Sequence, residues 1–153
     1  MTIVYYILFF LIIILAAGFD FRTRRITNAV NFCVIFPLIG KMFAKVTETS
    51  GSWERLKWIC IDMAGGMAIA LLFTGIPYIV NKSVGGGDVK LAFMSGFYTG
   101  AQGALIVLCT AFLLCALAAL AIMAIRRRKI AAMPFAPFML AGTIHFLLFS
   151  YLP

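Results

Sequence analysis

The sequence predicts an all-α integral membrane protein, a single-domain bundle of about six transmembrane helices over residues 1–153. Three observations lead to this prediction. Of the 153 residues, 64% are hydrophobic and only 12% are charged, whereas a soluble domain is roughly half apolar and about a quarter charged. The mean hydropathy is +1.08. The apolar residues also gather in runs long enough to cross a bilayer, so lipid is expected to cover most of the surface.

The first three predicted spans cover residues 2–19, 28–44 and 58–80. The first is about 27 Å long as a helix, which is just enough to cross the hydrocarbon core. Neither Lys nor Arg precedes it, so we interpret it as a retained helix rather than a secretory signal peptide. The second span contains Pro37, where a kink is expected.

The fourth predicted span, residues 88–100, is short, because about a dozen residues reach only about 18 Å as a helix. We expect it to begin inside a cavity lined by protein, where irregular backbone is tolerated. Gly96 and Gly100 form a G-x-x-x-G pattern, which permits close packing on a neighbouring helix. The last two predicted spans cover residues 104–125 and 133–152.

The charges between these spans predict the topology. With six spans, one side receives nine basic residues: Arg22, Arg24, Arg25, Lys82, Lys90, Arg126, Arg127, Arg128 and Lys129. The other side receives Lys41, Lys45, Arg55 and Lys57. Because positive loops mark the cytoplasmic side, both termini are expected outside the plasma membrane. This pattern also explains the net charge of +8 without nucleic acid as a partner.

The acidic residues are few, and two of them are placed on the cytoplasmic side. The five are Asp20, Glu48, Glu54, Asp62 and Asp88. Asp20 ends the first span and Asp88 begins the fourth. Ionisable groups near the apolar layer are costly and mark functional sites. Either the two form an acid–base pair for hydrolysis, or they make ordinary ion pairs with Arg22 or Arg24 and with Lys90.

Three glycines, Gly85, Gly86 and Gly87, directly precede Asp88. Glycine allows another backbone to approach closely, and a protease must hold an extended substrate by its main chain. The run is not a phosphate-binding loop, because it lacks G-x-x-x-x-G-K-[S/T]. Glycines beside the acid favour the acid–base interpretation.

Three segments resemble the type IV prepilin and preflagellin peptidases, membrane aspartic proteases of the G-x-G-D type. Residues 20–28 (D-F-R-T-R-R-I-T-N) are similar to D-x-x-x-x-x-I-P-N, with Thr27 in place of the usual Pro. Residues 85–91 (G-G-G-D-V-K-L) are similar to G-G-G-D-x-K-L. Residues 133–138 (M-P-F-A-P-F) are similar to P-F-G-P-F, with Ala136 in place of the usual Gly.

The resemblance implies that Asp20 and Asp88 are the catalytic acids and that no cofactor or metal takes part. It implies supporting or substrate-binding roles for Gly85, Gly86, Gly87, Lys90, Asn28, Pro134 and Phe135. The implied reaction removes a short basic leader from pilin-like or flagellin-like precursors at the cytoplasmic face. The family's two-signal enzymes carry a methyltransferase region with paired C-x-x-C, which this sequence lacks, so we expect a peptidase that does not methylate its product.

Other polar residues receive simpler interpretations. Lys90 either interacts with Asp88 or substrate, or extends to the interface. We expect Asp62 to be hydrogen-bonded between helices, and His145 to be packed and hydrogen-bonded rather than a metal ligand. Cys33, Cys60, Cys109 and Cys115 lie in apolar runs and are interpreted as small packing residues. Pro134 and Pro137 favour an irregular start of the last helix facing the site.

A non-enzymatic function is the competing hypothesis. In that case the protein is a small transporter or a pilus or secretion assembly component, and its acids bind ions or protons. Transporters usually have repeats and broken helices at the midplane. The sequence has no repeat, and both acids lie at the membrane edge, so the peptidase is favoured. The predicted partners are a precursor protein and the bilayer, and the pattern makes no prediction of oligomeric state.

Overall fold

The computed structural model describes residues 2–23, 28–48, 52–81, 84–126 and 133–151, and these residues form helices without any strand. The helices are α1 (Thr2–Thr23), α2 (Asn28–Glu48), α3 (Trp53–Ala70), α4 (Ile76–Asn81), α5 (Gly86–Arg126) and α6 (Ala136–Tyr151). A π-helical turn, Leu71–Gly75, joins α3 to α4. The all-α prediction is therefore confirmed.

Two helical stretches, Trp53–Val80 and Gly86–Ile125, are long and apolar enough to cross a membrane. Two shorter apolar helical stretches are Val4–Gly18 and Ala136–Ser150. Large apolar side chains lie on the surface of the bundle, among them Ile79 and Ile125 at 79% and 82% exposure. Such a surface suits contact with lipid. The number of six membrane crossings stays a prediction.

The predicted outer loop is shorter than expected. Because α2 extends to Glu48 and α3 begins at Trp53, the four basic residues predicted for the outer side lie in helices, and the side of the membrane on which they lie stays a prediction. These are Lys41, Lys45, Arg55 and Lys57. Long basic side chains lie readily in a helix when their apolar stems pack and their charged ends find polar partners. Pro37 lies inside α2 as predicted and is buried, and the helix continues past it.

The long helix α5 is divided at Gly100. There φ is 77° and ψ is −177°, a left-handed backbone conformation that favours glycine. Along α3 from Asp62 to Ala70, the neighbours before the break run backwards, from Gly100 to Gly96. From Asp62 to Phe73, the neighbours after the break run forwards, from Ala101 to Phe112. The chain therefore folds back at Gly100, and residues 86–99 form a short helical segment where the sequence predicts a short fourth helix.

Small residues allow the central helices to pack closely. A Cβ added at Gly66 of α3 would overlap the carbonyl oxygen of Gly96 in α5, so the predicted G-x-x-x-G pattern does form a helix contact. Gly142 of α6 lies in the same way against the backbone of Val107. α1 joins this core where Phe9 stacks on Tyr98, with 4.0 Å between ring centroids. Both side chains are fully buried.

Candidate active site

Asp20 lies in the last turns of α1 and is only 4% exposed. Its Oδ2 accepts a hydrogen bond from the backbone N–H of Ala136, with 3.1 Å between the two atoms. Ala136 is the first residue of α6. The free N–H groups and the positive dipole end of a helix attract a carboxylate. The start of the last helix thus provides Asp20 with a buried polar partner.

The start of α6 is built by the third motif segment. The carbonyl oxygen of Phe135 accepts the N–H groups of Phe138 and Met139, at 3.0 and 3.2 Å. The buried ring of Phe135 packs on Phe112, with 4.9 Å between centroids. These contacts fix the first turn and so orient the Ala136 N–H. Since Ala136 contributes its backbone N–H, its methyl group in place of the usual Gly leaves this contact unaffected.

Asp88 lies in the first turn of α5 and is partly buried. Its Oδ2 accepts the backbone N–H of Gly85 at 3.3 Å, and the N–H of Val89 donates to the carbonyl oxygen of Gly85 at 3.1 Å. Within the described part of the chain, the buried Oδ1 of Asp88 has no hydrogen-bond partner. One carboxylate oxygen is therefore held by the glycine turn, while the other is available for a further partner.

The three glycines differ in their surroundings. Gly85 and Gly86 are exposed, and Gly87 is partly buried in the first turn of α5. A Cβ added at Gly85 would lie 2.9 Å from Oδ2 of Asp88, closer than real Cβ contacts. A Cβ added at Gly86 would lie 3.7 Å from the ring and hydroxyl of Tyr78, which is ordinary contact. At position 85, therefore, any residue with a Cβ would disturb the carboxylate of Asp88, whereas glycine does not.

Asp20 and Asp88 come from distant segments, and the carboxylates interact electrostatically with each other. Like charges near an apolar layer repel strongly, and the repulsion is relieved when the pair holds one proton. The acid–base interpretation further requires that both carboxylates reach one water, and this arrangement stays a prediction. The interaction of Asp20 with Asp88 brings together the first and second motif segments, and the third joins them through Ala136.

Comparison with known proteins identifies the family. The model of the type IV leader peptidase family matches residues 7–120, which is most of the chain and includes Asp20, Asp88 and the three glycines. The chain belongs to the type IV leader peptidase family. No curated protein and no solved structure matches it. The family is one of proteases, so this chain is a leader-peptidase-like protease, and the predicted family is confirmed.

The structure describes four further predicted positions of this leader peptidase family member to different extents. Pro134 is partly buried and Phe135 is buried, and both lie beyond the matched residues. Lys90 is exposed, and residues two apart on a helix do not face each other, so its direction differs from that of Asp88. Asn28 is the first residue of α2, but its side chain lies outside the described part.

The competing hypothesis pairs Asp20 with Arg22 or Arg24, and Asp88 with Lys90. Arg24 and the side chain of Arg22 lie outside the described residues. The described partner of Asp20 is the peptide N–H of Ala136, and that of Asp88 is the peptide N–H of Gly85.

Two other polar side chains have the hydrogen bonds expected of them. Asp62 accepts the N–H of Ala101 through Oδ1 at 2.9 Å, which joins α3 to α5. Nδ1 of His145 lies 2.9 Å from the hydroxyl of Thr110. In the described part of the chain, no three His, Cys, Asp or Glu residues are grouped as a metal site would require.

The cysteines are free thiols, but their placement differs from the prediction. Cys33, Cys60 and Cys109 are exposed on the bundle surface and not packed in its core. They are apolar enough to face lipid. Cys115 is partly buried, and its thiol lies 4.0 Å from the sulfur of Met133.

Sequence reasoning missed Lys41. This side chain is 3% exposed and donates a hydrogen bond to the carbonyl oxygen of Tyr98. Its ammonium group also lies 4.7 Å and 4.3 Å from the ring centroids of Tyr6 and Tyr98. Pro37, Lys41 and Ala44 are all buried, and their i, i+4, i+7 spacing marks one helix face. That spacing was the signal that Lys41 belongs to the core.

Proposed function

We propose that this chain is an aspartic endopeptidase of the plasma membrane, with Asp20 and Asp88 as its catalytic acids. Its substrates are pilin-like or flagellin-like precursors, from which it removes the short basic leader at the cytoplasmic face. The observation that carries the proposal is the electrostatic influence of Asp20, near the end of α1, on Asp88, at the start of α5. Membership of a leader peptidase family supports it.

The proposed reaction uses one proton held between the two acids. The ionised carboxylate takes a proton from water, and the water oxygen attacks the carbonyl carbon of the scissile peptide bond. The protonated acid then gives its proton to the amide nitrogen, and the carbon–nitrogen bond breaks. General acid and base groups each contribute typically 10²–10⁴-fold to such a reaction. The products are the leader, with a new carboxyl end, and the mature protein, with a new amino terminus.

The glycine turn offers a place for the substrate main chain. Gly85 and Gly86 are exposed directly before Asp88, and the absence of side chains leaves room for an extended peptide. A basic leader is not attracted by the basic inner loops. We therefore propose that the apolar helix of the precursor supplies much of the affinity, by packing on the exposed apolar surface of the bundle within the membrane.

The test is cleavage of a purified precursor by purified enzyme, followed by sequencing of the new amino terminus. Asp20→Asn and Asp88→Asn should each lower kcat by about 1,000-fold or more, because each removes one member of a pair that acts as a unit. Glu54→Gln is the matched control, since Glu54 is exposed and pairs with Lys57 on α3. It should cleave at the wild-type rate.

Two outcomes contradict the proposal. Wild-type cleavage by both Asn variants would exclude the acid pair. An intact precursor after incubation with folded wild-type enzyme would favour the transporter or assembly hypothesis instead.

A further inference from the structure

The break at Gly100 leaves backbone polar groups without helical partners. A helix end exposes its last carbonyl groups, and a helix start exposes its first N–H groups. Both kinds of end meet at Gly100, inside a stretch whose flanks are strongly apolar. Such groups need partners, because lipid provides none.

Two ionisable side chains provide these partners. On the first side of the break, the buried ammonium group of Lys41 donates to the carbonyl oxygen of Tyr98. On the second side, Oδ1 of Asp62 accepts the N–H of Ala101 at 2.9 Å. The side chain of Asp62 lies so close that a Cβ at Gly100 would overlap it.

The signs of the two charges match the helix dipoles. A cation is stabilised at the carboxyl end of a helix and an anion at the amino end, which is how Lys41 and Asp62 are placed. Lys41 belongs to α2 and Asp62 to α3, so the contacts tie three helices together at one point of α5.

The tied segment carries the proposed catalytic acid. Residues 86–99 form one short helical rod, with Asp88 in its first turn and Tyr98 near its other end. The two residues are about 15 Å apart along the axis. A rigid rod that is fixed at Tyr98 cannot slide or rotate freely at Asp88. Since Asp20 belongs to α1, the distance between the two acids depends on this fixation.

We propose that Lys41 and Asp62 are positioning residues, which hold the segment 86–99 so that Asp88 meets Asp20. The expected effect on catalysis rests on the proposed function, whereas the positioning of residue 88 does not. A misplacement of about 1 Å can cost about 10²-fold in rate. Loss of the Lys41 or Asp62 contact at Gly100 should therefore lower kcat. Substrate affinity, which depends on the bundle surface, should change little.

The kinetic test compares Lys41→Met, which keeps the apolar stem, with Lys45→Met one turn further along α2. Lys41→Met should lower kcat of the folded enzyme at least tenfold with KM within twofold, while Lys45→Met stays within twofold in both. At the other side of the break, Asp62→Asn keeps an acceptor and should retain more activity than Asp62→Leu. The double variant Lys41→Met/Asp62→Leu should lose less than the product of the two single losses, because both act on one break.

A purely stabilising role predicts a different pattern. Lys41→Met would then lower the yield of folded protein and its unfolding temperature, but kcat of the folded fraction would stay at the wild-type level. That result would overturn the positioning proposal.

A second measurement does not depend on catalysis. In a background with Cys33, Cys60, Cys109 and Cys115 replaced by Ala, the pair Asp20→Cys and Asp88→Cys should be joined by a short bifunctional methanethiosulfonate reagent, because carboxyl groups that share a water leave their Cβ atoms farther apart than the roughly 4 Å of a disulfide. Adding Lys41→Met should slow this cross-link at least threefold, and adding Lys45→Met should not. An absent cross-link before Lys41 is changed, or an unchanged rate after it, overturns the inference.

The two measurements separate the failures. If the Asn variants of the acids cleave normally but Lys41→Met slows cross-linking, the proposed function fails and the positioning of residue 88 stands. If the Asn variants are inactive but Lys41→Met changes neither kcat nor cross-linking, the positioning fails and the proposed function stands.

Discussion

A single methyl group at Gly85 should disturb the proposed acid without disturbing the fold. A Cβ there would lie 2.9 Å from Oδ2 of Asp88, whereas ordinary contacts begin near 3.4 Å. Gly85 is exposed and precedes α5. Among the glycines whose backbone is described, a positive φ is found at Gly100, so Ala at position 85 brings no strain of that kind. The predicted effect therefore comes from contact with the carboxylate.

The size of the effect follows from the displacement. To reach ordinary contact, the carboxylate oxygen of Asp88 must move by about 0.5 Å, which also weakens its 3.3 Å hydrogen bond to the Gly85 N–H. A misplacement of about 1 Å can cost about 10²-fold, so we expect Gly85→Ala to lower kcat about tenfold. The assay is the initial rate of leader removal from a purified precursor, with folded enzyme quantified by size-exclusion chromatography.

The neighbouring glycine provides a matched control. A Cβ at Gly86 would make only ordinary contact with Tyr78, at 3.7 Å, so Gly86→Ala should keep kcat within about twofold of wild type, whereas its KM should rise because Gly86 belongs to the proposed substrate-binding turn. Equal losses of kcat in both variants, or an unchanged kcat in Gly85→Ala, would refute the reasoning from the carboxylate contact.

Two further substitutions test the support of Asp20 and the packing of the bundle. Ala136→Pro removes the N–H that donates to Asp20 at the first helical position, where proline is tolerated. It should lower kcat at least tenfold in the cleavage assay, whereas Ala136→Gly keeps the N–H and should cleave like wild type. Gly66→Ala would place a methyl group on the backbone of Gly96, and overpacking of this kind costs about 1–3 kcal/mol. A lower unfolding temperature than wild type is expected, and an unchanged one would contradict the close helix contact.

Features encoded by local pattern were predictable from the sequence. The apolar runs indicated the helices, and the short fourth run indicated the segment that ends at Gly100. The G-x-x-x-G pattern indicated the contact that Gly96 makes with Gly66. Each of these depends on residues close together in the chain, where helical period and glycine geometry decide the outcome.

Features that depend on the three-dimensional arrangement were harder to predict. Lys41 falls within the second predicted span, where a lysine is costly, but the sequence pattern does not show the carbonyl oxygen and two aromatic rings that offset that cost. The partner of Asp20 is a backbone N–H of Ala136, 116 residues away, and a backbone group leaves no mark in the amino-acid pattern. The ends of α2 and α3 were misplaced because charged residues can extend a helix beyond its apolar part.

The separation of the two carboxyl groups in an experimental structure, determined in lipid or detergent, tests the central claim most directly. Hydrogen bonds of about 2.7 Å on each side of one water predict facing oxygens of Asp20 and Asp88 about 5 Å apart. Carboxyl groups at opposite ends of the bundle, or each bound to an arginine or lysine with no shared water, would contradict the account.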